Sequence, residues 1–334
     1  MTAAARLRSQ PRGRDGLRPL NPRRDMTAVA TVIERSFAGQ LDANSRRMIR
    51  QMKALGRFGW LGWVVAQLIL PPAAYPLGFV WEEGGSVVGN ASLLPTDRTS
   101  SRWMLANVAV LPEQRRRGIA HAMVAASIDL AARHGARELV LQVDVRSDAA
   151  HKLYESLGFG TQTTRTTWWR PAETRLPEIS SDSPIRQRRE EDWPQEYALA
   201  RSLFPEGLRW PMPLTADVFR PEPFARALGI KRARHWVWYD DSEKVGAALA
   251  AQLEAEARHW RFTLMVPAEL HDIADGPLLL HGLHALKAAQ LPATLDHPTG
   301  LATQALMSLG FRPERSLTWM RLDLRSSGEQ SAGG

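Results

Sequence analysis

The chain has 334 residues, 44% of them hydrophobic, which suits two domains with real cores better than one. It contains no cysteine, which excludes disulfides, thiolate metal sites and a cysteine nucleophile. The net charge of +8 is spread along the chain and carried almost wholly by arginine, and neither a basic stripe interleaved with stacking aromatics nor a nucleic-acid module is legible. Nucleic acid is therefore not an expected partner, and the lack of cysteine fits a reducing, cytoplasmic setting.

Residues 1–14 read as a flexible, arginine-rich tail with no apolar stretch of a secretory signal behind it. Leu17 to Leu20 reads as a short strand stopped by Asn21-Pro22. From about Asp25, Val29, Val32, Ile33 and Phe37 recur at helical spacing, and a second helix is expected over Ala43 to Leu55. Gly59 to Trp81 carries no charge and is long enough for a bilayer. Pro71, Pro72 and Pro76 break it, however, and Gln67 interrupts its apolar part, so continuous helix ends near Leu70. A buried or substrate-facing helix is the preferred reading, with contact at a membrane surface as the alternative.

Gly78–Glu82 and Ser86–Leu94 flank Gly84-Gly85 and predict a hairpin. Trp103–Val110 reads as a strand and Pro112–Arg117 as a loop. A helix follows over Gly118–His134, with Ile119, Ala122, Met123, Ala126 and Leu130 on one face. Then come a strand over Glu138–Val145, a short helix over Ala149–Leu157 stopped by Gly158, and a last strand or strand pair over Thr161–Arg170. Strand, helix and strand across 103–145 require a parallel crossover, because the connection is too long for a hairpin. The expected class is α/β with a mixed sheet.

Pro171 to Pro184 is poor in apolar residues and reads as a linker. The rest of the chain echoes the first part. Leu157-Gly158-Phe159 recurs as Leu309-Gly310-Phe311. Trp168 or Trp169 followed by Arg170 is matched by Trp319, Met320 and Arg321. Val266-Pro267 precedes a helix as Leu111-Pro112 does. This ordered set points to an internal duplication. The plan is a tail (1–14), a first domain (15–170), a linker (171–184), a second domain (185–325) and a tail (326–334).

The chemistry concentrates in Asn107 to His121. Arg115, Arg116 and Arg117 immediately precede a helix. A helix N-terminus carries partial positive charge, so cations there are unfavourable unless an anion sits on the free amides of the first turn. Gly118 and small Ala120 let such an anion approach the backbone. A solvated arginine cluster on a surface turn is the plain alternative.

Here the sequence resembles the GCN5-related N-acetyltransferase (GNAT) superfamily. Arg115-Arg116-Arg117-Gly118-Ile119-Ala120 matches that family's cofactor signature, after a strand and opening a helix. Downstream, the strand Leu139–Val145, Ala150, Leu153-Tyr154-Glu155 and Leu157-Gly158-Phe159 follow in the family's order. The resemblance spans about residues 16–170, and with the echo it implies two tandem GNAT-like domains.

The resemblance implies acetyl-CoA as cosubstrate. Its pyrophosphate would lie on the amides of about Arg116 to His121, and its pantetheine arm would pair with Val108, Ala109 and Val110 in a splay of the sheet. A backbone amide of that strand would polarise the thioester carbonyl. An amine of a small molecule or peptide would attack directly, with Asn107 and Glu82 as candidate substrate contacts. Tyr154 would be the general acid, since a phenol near pKa 10 can hydrogen-bond or protonate a thiolate near roughly 8.5. Many relatives place asparagine seven residues before this tyrosine; here Ser147 stands there, with weaker and shorter reach. Glu82, Glu83, Asp97 and Asp144 are all candidates for the general base, and none stands out. A non-catalytic acyl-CoA-sensing or partner-binding module is the alternative to an enzyme.

In the second copy the corresponding loop is Glu269-Leu270-His271-Asp272-Ile273-Ala274-Asp275-Gly276. Acids replace the arginines, and Leu306 takes the tyrosine slot. This half reads as a degenerate copy. His281 and His284 are three apart on an expected helix, with His271 and His297 elsewhere, but no third ligand stands at motif spacing and no metal is expected. The acceptor's identity and the oligomeric state carry no signature.

Overall fold

A computed structural model describes residues 15–39, 43–57, 77–96, 101–179, 184–204, 208–209, 212–213, 216–221, 233–254, 258–287 and 290–324. Most of the uncharged segment 59–81, Asp97 and both tails lie outside the described residues. Contacts divide the described chain into two units, the first built from 15–142, 149–160 and 320–324, the second from 143–148 and 161–319.

The strands are β1 (Gly16–Pro19), β2 (Leu77–Glu83), β3 (Ser86–Pro95), β4 (Arg102–Val110), β5 (Glu138–Asp144), β6 (Gly160–Arg170), β7 (Ile185–Gln187), β8 (Leu208–Arg209), β9 (Met212–Pro213), β10 (Ala233–Tyr239), β11 (Val245–Glu254), β12 (His259–Met265), β13 (Ala293–Pro298) and β14 (Arg312–Asp323). The helices are α1 (Pro22–Ser36), α2 (Ala43–Arg57), α3 (Ile119–Arg133), α4 (Asp148–Ser156), α5 (Trp193–Leu203), α6 (Asp275–Leu286) and α7 (Thr303–Ser308). Gly160–Arg170 is thus one strand rather than a pair.

In the first unit β1, β2, β3 and β4 pair antiparallel in that order, and β5 joins β4 in parallel. The last residues of β14 complete it beside β5. The Leu324 amide donates to the Arg137 carbonyl at 2.8 Å, and the Arg321 guanidinium lies 3.8 Å from Glu138. Helix α1 starts where Asn21 accepts the Arg23 amide at 3.0 Å and Pro22 supplies a preset φ. Its Val29, Ala30, Val32 and Ile33 pack with Ile49 of α2 on Val80, Val88, Ala109 and Leu111. Each fully buried valine or isoleucine contributes about 1.5–3 kcal/mol, so this face holds α1 on the sheet. Helix α3 covers the other face. Gly89 lets it come close, since a Cβ there would meet Met123 Cε at 3.0 Å.

The second unit repeats the plan. Strands β10, β11 and β12 pair antiparallel, β13 joins β12 in parallel, and β7 and β6 flank this set. Its core gathers Trp236, Leu249, Phe262, Leu278, Leu279, Leu295 and Phe311. β8 and β9 form a separate short ribbon. Among the described residues no helix is long and apolar enough to cross a membrane.

Candidate active site

The site begins where a parallel pairing stops. Strands β4 and β5 pair only over Arg102–Met104 and Glu138–Val140. Beyond Met104, β4 keeps β3 on one side and, among the described residues, has no strand on the other. The Leu111 amide donates to the Val88 carbonyl at 3.0 Å, so by alternation the peptide groups of Val110 face away from β3. The Val110 carbonyl indeed accepts from Arg115 Nε at 3.1 Å. A strand edge is thereby open beside Val108–Val110.

That edge is bent by a bulge. Asn90 pairs with Ala109 and Ser92 with Ala106, so β4 carries one residue more than β3 over this step. Asn107 takes up the excess at φ 53°, in the left-handed region that asparagine tolerates best after glycine. Asn90 and Ser92 are buried on β3. Asn90 Nδ2 donates to the Asn107 carbonyl at 2.9 Å and to Ser92 Oγ at 3.1 Å, while its Oδ1 has no partner among the described residues. Reading the sequence alone missed these two residues. Their signal was a polar pair at i, i+2 in an otherwise apolar strand.

The loop after β4 divides its three arginines. Arg115 folds back, with Nε on Val110 and Nη2 on the Ser36 carbonyl at 3.0 Å. Arg117 pairs with Glu83 at 2.8 Å, and this contact holds the Glu83 carboxyl below its usual range. The Arg116 side chain is exposed and has no partner among the described residues. Its backbone sits at φ 64° and that of Gly118 at φ 76°. Among the described residues no side chain caps α3 at Gly118 and none enters the space a Cβ would take there, while Ile119 turns inward to the core. The first amide to bond back within the helix is that of Ala122, onto the Gly118 carbonyl at 3.0 Å. Among the described residues the amides from Arg116 to His121 make no backbone hydrogen bond of good geometry, with Ala120 half-buried and His121 exposed.

Tyr154 on α4 is 6% exposed and packs edge-on against Phe159 at 5.8 Å. Its hydroxyl has no hydrogen-bond partner among the described residues, and burial pushes the phenol well above its usual pKa. Ser147 lies half-buried in the turn after β5, within the second contact unit, its amide on the Asp144 carbonyl at 2.9 Å. Asp144 is bonded by Arg146 through both carboxylate oxygens, which lowers its pKa.

Glu82 is 3% exposed and closed into an ion cluster. Its Oε2 accepts from Arg18 at 2.5 Å and Arg24 at 2.7 Å, and Arg18 also bonds buried Asp25. Its hydrogen bonds to Asp25 and Glu82 hold the Arg18 guanidinium above its ordinary pKa. The cluster joins β1, α1 and β2 rather than facing the open edge of β4.

The second unit's loop is closed where the first is open. Asp272 is left-handed at φ 65°, as Arg116 is, and a short 3-10 turn precedes each. Buried Asp275, at the start of α6, accepts the Asp272 amide at 2.8 Å and faces His271 Nδ1 at 3.3 Å. A carboxylate of the chain thus occupies an amide of the kind the first loop leaves free. Leu306 is fully buried in the core. Among the described residues no group of three or more His, Asp or Glu side chains is placed to hold a metal ion.

Residues 50–159, which span the bulged strand, the loop and α4, match the model of the Acetyltransferase (GNAT) family. Most of that match falls in the first unit. A 61-residue stretch is 41% identical to N-alpha-acetyltransferase 30 of Schizosaccharomyces pombe, covering 18% of this chain and 41% of that protein. The chain thus spans less than half the length of that relative. A GCN5-related N-acetyltransferase from Sphaerobacter thermophilus superposes with a TM-score of 0.61 at 15% identity, over 92% of this chain and 95% of that one. A tandem GNAT protein from the clavulanic acid biosynthesis pathway gives 0.53 at 17% identity, over 93% and 98%. At these identities the likeness shows the fold, and the fold is the tandem GNAT one.

Proposed function

We propose that the first GNAT unit is an acetyl-CoA-dependent N-acetyltransferase that works by direct attack of an amine on the thioester. The observation that carries this reading is the row of unpaired amides from Arg116 to His121 at the head of α3, beside the open edge of β4. Among the described residues these amides have no well-formed acceptor and the Arg116 guanidinium no partner, and with the open approach at Gly118 they suit a diphosphate. The edge at Val108–Val110 suits an extended amide-bearing arm, which would bond to it as an added strand.

On this reading the amine nitrogen forms a bond to the acetyl carbon and the carbon–sulfur bond breaks. An outward amide of Val108–Val110 stabilises the carbonyl oxygen as charge builds on it. Tyr154 donates a hydrogen bond to the departing sulfur. Glu83 and Asp144 are each held by arginine, which lowers their pKa and makes them weak bases, and Glu82 is closed into its ion cluster. The amine's proton therefore leaves through water rather than to one of them. The name of the S. pombe relative makes a peptide α-amine the first acceptor to try.

The test is thermal unfolding with and without acetyl-CoA, with Gly118→Glu alongside. At a hundredfold excess over Kd, binding adds about 2.7 kcal/mol and raises the melting temperature by several degrees. Gly118→Glu, which places a carboxylate in the cradle, removes that rise. Acetyl-CoA and peptide together then release free thiol from the wild type. Absence of any thermal shift in the wild type would overturn the assignment.

A further inference from the structure

We infer that Asn90 is a positioning residue for acetyl transfer, acting through the Asn107 carbonyl to hold the β4 bulge in the shape that opens its edge. The inference rests on the acetyltransferase reading of this site.

A bulge leaves one peptide group without a ladder partner, and a left-handed asparagine is a strained way to accommodate it. Something must fix which of several local arrangements the strand adopts. In this strand the fixing group is a side chain. Asn90 Nδ2 reaches across from β3 to the carbonyl of the left-handed residue itself at 2.9 Å. The same nitrogen bonds Ser92 Oγ at 3.1 Å, which locks the amide's rotation. A carbonyl accepts and never donates, so the nitrogen, not the oxygen, must face Asn107. Asn90 is fully buried, so water cannot replace this bond.

The arrangement has a cost that a purely structural residue would avoid. Asn90 Oδ1 is buried with no donor among the described residues, and a buried acceptor left unmade is unfavourable. A valine would fill this strand position without that cost. What a valine cannot do is hold the Asn107 carbonyl. The bulge lies one step before Val108–Val110, so its shape sets where the outward amides point. Displacing reacting groups by about 1 Å can lower turnover about 100-fold without loss of binding.

Asn90→Asp and Asn90→Leu keep the size of the side chain and remove the donor. Turnover at saturating acetyl-CoA and acceptor should fall about 30- to 100-fold in both. The acetyl-CoA Kd by calorimetry should stay within about threefold, because the cradle at Arg116–His121 is untouched. Asn90→Ser, with a shorter donor, should recover part of the lost turnover, and it serves if the other two variants fold poorly. Wild-type turnover in the folded Asp and Leu variants would overturn the inference. So would parallel loss of turnover and acetyl-CoA affinity in all three variants, which would mark Asn90 as scaffold only. A wild-type chain that neither binds acetyl-CoA nor releases thiol instead refutes the enzymatic reading itself.

Discussion

Burial changes what Tyr154 can offer a leaving thiolate. In water a phenol is already a weaker acid than a thiol, and desolvation raises the phenol further. The hydroxyl therefore stays protonated, and in the proposed mechanism it would act on sulfur as a hydrogen-bond donor that need not surrender its proton. Tyr154→Phe keeps the edge-on contact with Phe159 and deletes only the donor. It should lower turnover about 100-fold with acetyl-CoA affinity unchanged, measured by steady-state kinetics and calorimetry. The pH dependence follows from the sign of the shift. With the neutral form favoured, loss of the phenolic proton begins only above pH 10, so Tyr154 contributes no descending limb below it. A descending limb under pH 10 in the wild type that disappears in Tyr154→Phe would contradict this account. The short helix that carries Tyr154 was legible from Leu153-Tyr154-Glu155 and the Leu-Gly-Phe that follows. The tyrosine's depth of burial was not, because burial depends on neighbours distant in sequence.

At the scale of elements, the same strand, turn and helix occur twice with opposite electrostatics at the helix head. Around α3 the amides are open and the nearby free side chain is cationic. Around α6 the chain supplies its own carboxylate, Asp275, to the Asp272 amide. A helix head whose amide is already met has little use for a diphosphate, and Asp272 and Asp275 repel one. Asp275→Ala should destabilise the second unit by about 1–2 kcal/mol, read as a lower melting temperature, since a capping acceptor is lost. Calorimetry on that variant should still give one acetyl-CoA per chain, and a second equivalent would show that the second loop had kept a working cradle. Charge replacement in this loop was visible in the residues themselves. The bond that closes it was not, because nothing in the residue order tells whether Asp275 points to solvent or back at its own turn. Likewise Arg115, Arg116 and Arg117 look equivalent in sequence, yet the fold ties Arg115 to Val110 and Ser36, pairs Arg117 with Glu83, and leaves Arg116.

For the whole molecule, contacts group the end of the chain with its beginning. Met320–Asp323 belong to the first unit, where Leu324 bonds Arg137 and the Leu322 side chain lies near Gly158, while residues 161–170 of β6 belong to the second. A chain cut after Glu178 loses the first of these and strands the second. Its melting transition, followed by circular dichroism, should lie at least about 10 °C below that of the full chain, or the fragment should be insoluble. A fragment as stable as the parent would show that those terminal residues add nothing to the first unit. What the sequence determined by itself was whatever depends on near neighbours. The strand and helix order, the glycine-opened helix head and the duplicated Leu-Gly-Phe all follow from periodicity and local backbone preference, which act over a few residues. Tertiary structure alone decided the bulge at Asn107 and its tie to Asn90, the ion cluster that takes Glu82, and the return of the final strand. Each of these joins residues from 17 to more than 180 positions apart, and such pairings are set by packing and burial in the assembled sheet rather than by any local pattern.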